Sequence, residues 1–268
     1  MTRFSQAVLQ QGRLAMAYPG AILVAAWLLT MISLPVVGWT VGSGAFHAGI
    51  SFGVLVQVAV VVFILVQAWG WREALRVVLW VLGLAWVVEF VGSQTGVPFG
   101  TYHYTPLLQP QLGHVPLLIP LAWLMMLPPA WAVAERILAR RAGLWVSQAA
   151  FVFLAALAFT AWDLFLDPQM VAWDFWRWEQ PGAYFGIPWS NYFGWLLASG
   201  LITALVRPRR LPLVPLVAVY LLTWLLQTIG QFFFWEMPGP AAAGFLGMGI
   251  FIVLATWPAG ASFARRAS

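Results

Sequence analysis

The sequence has no cysteine and few charged residues, and both shortages limit what the protein can be. Without cysteine, disulfide bonds, thiol nucleophiles, haem thiolates and iron–sulfur clusters are excluded. Of the 268 residues, 8% are charged and 62% are apolar, whereas a soluble domain has roughly 25% charged residues. This composition, with a mean hydropathy of +0.86, excludes a water-soluble monomer and indicates an integral membrane protein.

Lysine is also absent, so arginine supplies all 13 positive charges behind the formal net charge of +5. The arginines lie beside apolar spans, where they determine membrane topology or contact anionic lipid headgroups. We therefore predict the lipid bilayer as the partner of these residues and expect no nucleic-acid partner.

Apolar runs long enough to cross a bilayer follow one another along the chain. A transmembrane helix needs about 20 predominantly apolar residues. The predicted spans are 18–37, 45–69, 73–92, 115–134, 144–166, 188–206, 211–235 and 241–260. We predict an all-α, polytopic membrane helix bundle of about eight transmembrane helices, which forms a single domain over residues 1–268.

The arginines are concentrated in alternate connections. All of them except Arg177 lie before the first span, after the second, fourth and sixth spans, or after the last. Arginine-rich short loops stay in the cytoplasm, so we predict cytoplasmic termini and place the loops near 93–114 and 167–187 outside. Arg3 and Arg13 precede a long first span that we expect to be retained rather than cleaved as a signal peptide. The expected location is a bacterial or archaeal cytoplasmic membrane.

Three acidic residues fall at the outer ends of predicted spans. Glu89 follows a continuous apolar run, and Asp163 and Asp167 are four residues apart, which places them on one face of a helix. Asp167 precedes Pro168, where we expect that helix to end. Two crowded carboxylates cannot both ionise easily, so one can act as an acid and the other as a base. Intramembrane acids are functional by default. The alternative is a structural role, in which these acids satisfy helix ends, bind Arg177 or form hydrogen bonds with loop amides.

Histidine and tryptophan offer further candidates. His103 lies between Tyr102 and Tyr104, but no His-x-x-His or His-Glu-x-x-His spacing is present, so we predict no metal site. Aromatic rings beside an acid can stabilise a carbocation in a dry site, and an aromatic belt at the membrane interface is the alternative. The candidate tryptophans are Trp86, Trp123, Trp162 and Trp195.

Two long motifs resemble the membrane carotenoid hydratase family, which includes carotenoid 1,2-hydratases and bisanhydrobacterioruberin hydratases. The first motif runs from Glu89 to Tyr104 and continues from Gly113 to Trp123. The second comprises Asp163-Leu-Phe-Leu-Asp-Pro168, Trp173, Trp176 to Trp178, and the segment from Gly182 to Trp195. The resemblance covers a core of about 73–200.

The resemblance implies cofactor-independent addition of water to the terminal isoprene double bond of an acyclic ψ-end carotenoid, giving a tertiary alcohol. Lycopene, γ-carotene or a fifty-carbon precursor would be the substrate, and other carotenoid-pathway enzymes would be partners. We assign Asp163 and Asp167 the acid and base roles in unresolved order, and Glu89 a supporting or alternative acid role. The expected substrate-binding or water-positioning residues are Trp86, Tyr102, His103, Tyr104, Trp123, Trp162, Asn191 and Trp195.

Other functions remain open from the sequence. The spacing Asp163-x-x-x-Asp167 resembles half of a magnesium–diphosphate motif, which suggests a membrane prenyltransferase or another carotenoid end-group enzyme. The outer acids also suit a proton-coupled transporter. The aromatic loops would equally serve a structural or assembly subunit as docking surfaces.

Overall fold

Eight α-helices form a membrane bundle within the residues that the computed structural model describes, which are 3–139 and 147–256, with side chains from residue 19 onward. The predicted all-α membrane bundle is confirmed. The helices are α1 (Arg3–Thr40), α2 (Ser43–Trp69), α3 (Trp71–Thr95), α4 (Leu118–Ala139), α5 (Gln148–Ala172), α6 (Trp189–Val206), α7 (Leu213–Phe233) and α8 (Pro238–Thr256).

Seven of these helices are long and apolar enough to cross a membrane; within α1 the spanning part is Pro19–Thr40. The remaining helix, α6, has 18 residues, a length of about 27 Å at 1.5 Å per residue. Its first turn carries Ser190 and Asn191, which lower its hydropathy. Because α6 packs along α5 and α3, it belongs to the bundle, and the chain is a multi-pass membrane protein.

Helix α4 lies at the centre of the bundle. It contacts α2, α3, α5, α7 and α8, and the side chains of Trp123, Met126 and Trp131 on it are fully buried. The buried indole of Trp131 donates to Thr203 Oγ1 of α6 at 2.8 Å. Such hydrogen bonds between helices satisfy polar groups that lipid cannot.

One end of the bundle carries the arginine-rich connections. Trp69 Nε1 donates to the carbonyl of Arg210 at 2.9 Å, which places the α2–α3 and α6–α7 connections side by side. Arg136 Nε donates to the carbonyl of Ala255 at 2.9 Å, which brings the end of α4 to the end of α8. Several arginines of the topology prediction lie outside the described residues or side chains: Arg3, Arg13, Arg140, Arg141, Arg265 and Arg266.

The opposite end is closed by the two long loops, which form a cap of short strands that the sequence did not predict. Strand β1 (Tyr102–Tyr104) pairs antiparallel with β4 (Trp176–Trp178), and β2 (Gln111–Leu112) pairs with β3 (Val115–Pro116). The buried ring of Phe99 anchors this cap between α3 and α6. A Cβ at Gly92 or Gly194 would come within 2.5 or 2.6 Å of that ring, so both positions require glycine.

The predicted end of the fifth span at Asp167 is wrong, because α5 continues through Pro168 to Ala172. Proline has no N–H, so the carbonyl of Leu164 loses its usual helical donor. The hydroxyl of Tyr184, from the loop before α6, donates to that carbonyl at 3.0 Å instead. This long-range hydrogen bond compensates for the proline, and the turn that carries both aspartates remains helical.

Candidate active site

A narrow cavity lies beneath the strand cap, among α2, α3, α4, α5 and α6. Its volume is about 60 Å³, enough for a few water molecules. The flexible side chains of Met125 and Met170 on its wall can adjust to a larger group. The residues with polar atoms on its wall are Glu89, Tyr102, Tyr104, Trp123, Asp167, Trp176, Trp178, Asn191 and Trp195, and the remaining lining is apolar.

Glu89 of α3 forms one polar wall of the cavity. Its Oε2 accepts hydrogen bonds from the hydroxyls of Tyr102 at 2.7 Å and Tyr104 at 2.6 Å, and its Oε1 accepts one from Trp123 Nε1 at 3.0 Å. These three groups are donors, and the strand β1 brings two of them. The carboxyl group of Glu89 therefore acts as an acceptor in this arrangement.

The two tyrosines remain donors because of their surroundings. Burial, with the nearby Glu89 carboxylate, raises the pKa of Tyr102 and of Tyr104 well above the ordinary value for tyrosine. Both phenols therefore keep their protons at any physiological pH. The Glu89 cluster thus provides a fixed set of hydrogen bonds along one side of the cavity.

Asp163 and Asp167 of α5 form the second polar wall and meet at one amide. Asn191 Nδ2 donates to Asp163 Oδ2 at 2.9 Å and also to Asp167 Oδ2. Asp167 Oδ1 accepts from Trp176 Nε1 at 3.2 Å, whereas Asp163 Oδ1 is buried without a partner among the described residues. Asp167 lines the cavity, and Asp163 lies behind it, fully buried.

Stacked aromatic rings link the two carboxyl walls. Trp123 stacks on Trp195 with ring centroids 5.0 Å apart, and Phe159 stacks on Trp195 at 5.1 Å. Since Trp123 donates to Glu89 and Trp195 follows Asn191 by one turn, the stack runs from one wall to the other. These rings provide a negative π-surface without a nucleophilic atom.

The structure brings most of the predicted site residues together, but it places Trp86, His103 and Trp162 outside the cavity lining. Trp86 stacks on Phe90 at 5.1 Å and donates to the carbonyl of Leu112. His103 is exposed on β1, opposite Arg177. Trp162 is buried behind Trp195, with ring centroids 6.0 Å apart.

Sequence reasoning missed Trp176, Trp178 and Phe99 as site residues. The alternation in Trp176-Arg177-Trp178 was the available signal, because it predicts a strand with both indoles on one face. Pairing with β1 turns these indoles toward Asp167 and the cavity, while Arg177 faces outward and pairs with Asp174. No three His, Cys, Asp or Glu side chains converge as metal ligands within residues 19–139 and 147–256.

Fold and site together define a class: a polytopic membrane helix bundle with two buried carboxyl groups on the wall of an aromatic, otherwise apolar cavity and a third behind that wall. The chain matches the family described as carotenoid biosynthesis protein over residues 48–251, so it belongs to that family. The match extends beyond the expected core of about 73–200 and takes in most of α2, all of α7 and most of α8.

One curated relative is similar to part of the chain. The chain is 37% identical over 121 residues to a bisanhydrobacterioruberin hydratase from Haloarcula japonica, covering 44% of this chain and 39% of that protein. The similarity therefore spans well under half of the relative. No solved structure matches the chain.

Proposed function

We propose that the protein is a carotenoid hydratase that adds water to the terminal isoprene double bond of an acyclic carotenoid. The observation that carries the proposal is the pair of aspartates held by one amide at the edge of an aromatic cavity. Membership of the carotenoid biosynthesis family supplies the substrate class, and the hydratase relative supplies the reaction type.

The two aspartates together hold one proton, which they share. Two carboxylates that accept from the same Asn191 nitrogen repel each other unless one proton is shared between them. Asp167 is the member that lines the cavity, so it transfers this proton to the less substituted alkene carbon. The negative charge that remains is spread over both aspartates and is stabilised by the N–H groups of Asn191 and Trp176.

Proton transfer leaves a tertiary cation, which the site must protect until water captures it. The faces of Trp123 and Trp195 stabilise the positive charge, and the carboxylate of Glu89 adds a negative charge across the cavity. Tyr104 lines the cavity, and while its hydroxyl donates to Glu89 its oxygen can accept a hydrogen bond from the incoming water and so position it. When the water oxygen bonds to the cation, its proton returns to the aspartate pair. The net change is addition of one water molecule, with no electron transfer and no cofactor.

The polyene remains in the bilayer while its end group enters the site. Three lining residues keep partly exposed apolar surface: Val54 of α2, and Leu118 and Ala122 of α4. An entrance between these helices suits a hydrocarbon too apolar to leave the membrane. The two acidic walls of the cavity would repel an anionic diphosphate, so the cavity suits hydration better than prenyl transfer.

Expression of the chain in a lycopene-producing bacterium tests the proposal. The extracted pigment is expected to gain the mass of one water molecule per modified end, with an unchanged visible spectrum because the terminal double bond is not conjugated. Growth in oxygen-18 water should label the new hydroxyl. Unmodified pigment with lycopene and with a fifty-carbon acyclic carotenoid would contradict the proposal.

A further inference from the structure

A second cavity lies between α1, α2 and α7, outside the site described above. Its volume is about 330 Å³, and most of its lining is apolar. Four of its lining residues carry polar atoms at the middle of their helices or one turn beyond: Trp27, Gln57, Thr223 and Gln227. The proposed hydration chemistry uses none of them.

Gln57 and Thr223 form a polar contact at mid-membrane depth. Each is only 4% exposed, and Gln57 Nε2 donates to Thr223 Oγ1 at 3.1 Å and to Met126 Sδ at 3.4 Å. Both amide hydrogens of Gln57 are thus in use, while no described group donates to its Oε1. A polar group at this depth is costly unless it has a partner, so this cluster needs an explanation beyond hydrophobic packing.

Other polar atoms on the cavity residues also lack partners. Trp27 Nε1, Trp235 Nε1 and Gln227 Oε1 are buried without a hydrogen bond to any described residue. Because those three atoms are too deeply buried for a ligand to reach, the polar atoms open to the cavity are Gln57 Oε1, an acceptor, and the amide nitrogen of Gln227, a donor. A hydroxyl group is complementary to this set, because it donates one hydrogen and accepts through two lone pairs.

We propose that this cavity binds a long-chain isoprenoid alcohol by its hydroxyl group. The hydroxyl donates to Gln57 Oε1 and accepts from the amide N–H of Gln227, while the apolar lining holds the adjoining chain. A hydrocarbon of the same length cannot form either hydrogen bond. The choice of an isoprenoid alcohol rests on the proposed function, whose product is a tertiary alcohol.

The position of the cavity fits a role in holding the product. Val54 lines the first cavity and Gln57 lines the second, three residues further along the same helix, which is a rise of about 4.5 Å. Val54 and Gln57 lie on one face of α2. The alcohol formed in the first cavity therefore meets a polar group one turn away when it leaves.

A binding competition tests the site without relying on turnover. The full-length Asp167→Asn variant is placed in lipid nanodiscs and exposed to equal amounts of lycopene and its singly hydrated tertiary alcohol, and the retained pigments are quantified by mass spectrometry. Two hydrogen bonds gained at the cavity should enrich the alcohol by about tenfold. Thr223→Val and Gln57→Leu should each reduce this enrichment severalfold toward equal retention.

Thr228→Val is the matched control, because Thr228 is on the same helix and its hydroxyl donates to the carbonyl of Trp224, away from the cavity. This variant should keep the full enrichment. Equal retention of both pigments by the Asp167→Asn protein, retention of neither, or enrichment that persists in Gln57→Leu would overturn the proposal. Because the alcohol is supplied, a chain with no hydratase activity can still pass this test, and an active hydratase can fail it.

Discussion

At the residue scale, the three buried acids differ in what surrounds them. Glu89 faces three donors, so its carboxyl group serves as an acceptor. Asp163 and Asp167 share one donor and lie on one helix face, as their spacing predicts. Of this pair, only Asp167 lines the cavity. We therefore propose that Asp167 transfers the proton and Asp163 shares it, an order that the sequence left unresolved.

Replacing either aspartate should therefore reduce hydration strongly. Asp167→Asn removes the proton donor and should lower the rate by about 100- to 10,000-fold. Asp163→Asn removes the partner that shares the proton and should also lower the rate, while the alcohol that does form remains the same. Alcohol formed per amount of protein in membranes with added lycopene measures both effects.

Asp174→Asn is the control for these variants. Asp174 is partly exposed and pairs with Arg177, which lowers the pKa of Asp174, and it does not line the cavity. Its replacement should leave the rate nearly unchanged. Full activity in both Asp163→Asn and Asp167→Asn would remove the aspartate pair from the mechanism.

At the scale of the element, the continuation of α5 through Pro168 depends on Tyr184. Tyr184→Phe leaves the carbonyl of Leu164 without a donor and should lower the free energy of unfolding by about 1–2 kcal/mol. Restoring an N–H with Pro168→Ala in the same chain should recover most of this loss. Thermal unfolding of the purified protein measures both changes.

Tyr192→Phe provides the comparison, because the buried hydroxyl of Tyr192 has no partner among the described residues. Its removal should not lower the unfolding temperature. If Tyr184→Phe and Tyr192→Phe proved equally harmless, the hydrogen bond to Leu164 would have no part in keeping α5 intact.

The same helix indicates how far the sequence can predict this fold and site. Hydropathy predicts the helices because an apolar segment that crosses lipid must satisfy its backbone hydrogen bonds internally, which a helix does. The spacing of Asp163 and Asp167 predicts that they share a helix face. The predicted end of α5 was wrong because Tyr184 donates to the carbonyl of Leu164 that Pro168 leaves without a donor. Tyr184 is twenty residues from Leu164 in sequence. Likewise, the contact of Tyr102 with Glu89 depends on pairing between β1 and β4, which no local pattern specifies.

At the scale of the whole molecule, the two ends of the bundle differ in chemistry. One end carries Arg72, Arg76 and the arginines around Pro208, and the other carries the strand cap over the carboxyl cluster. Arginine-rich connections remain in the cytoplasm, so we propose that the strand cap faces outward. Water would then reach the aspartate pair from the outer side, while the hydrocarbon enters from the bilayer.

The absence of cysteine makes this orientation directly measurable, because one introduced cysteine is the only thiol in the chain. Gln180→Cys places it in the exposed loop after β4, and Arg209→Cys places it in the exposed α6–α7 connection. A membrane-impermeant maleimide added to intact bacterial spheroplasts should label Gln180→Cys and leave Arg209→Cys unlabelled. After lysis both should react, which shows that each thiol is accessible. The reverse pattern in intact spheroplasts would place the strand cap in the cytoplasm, and water would then reach the site from the cytoplasmic side.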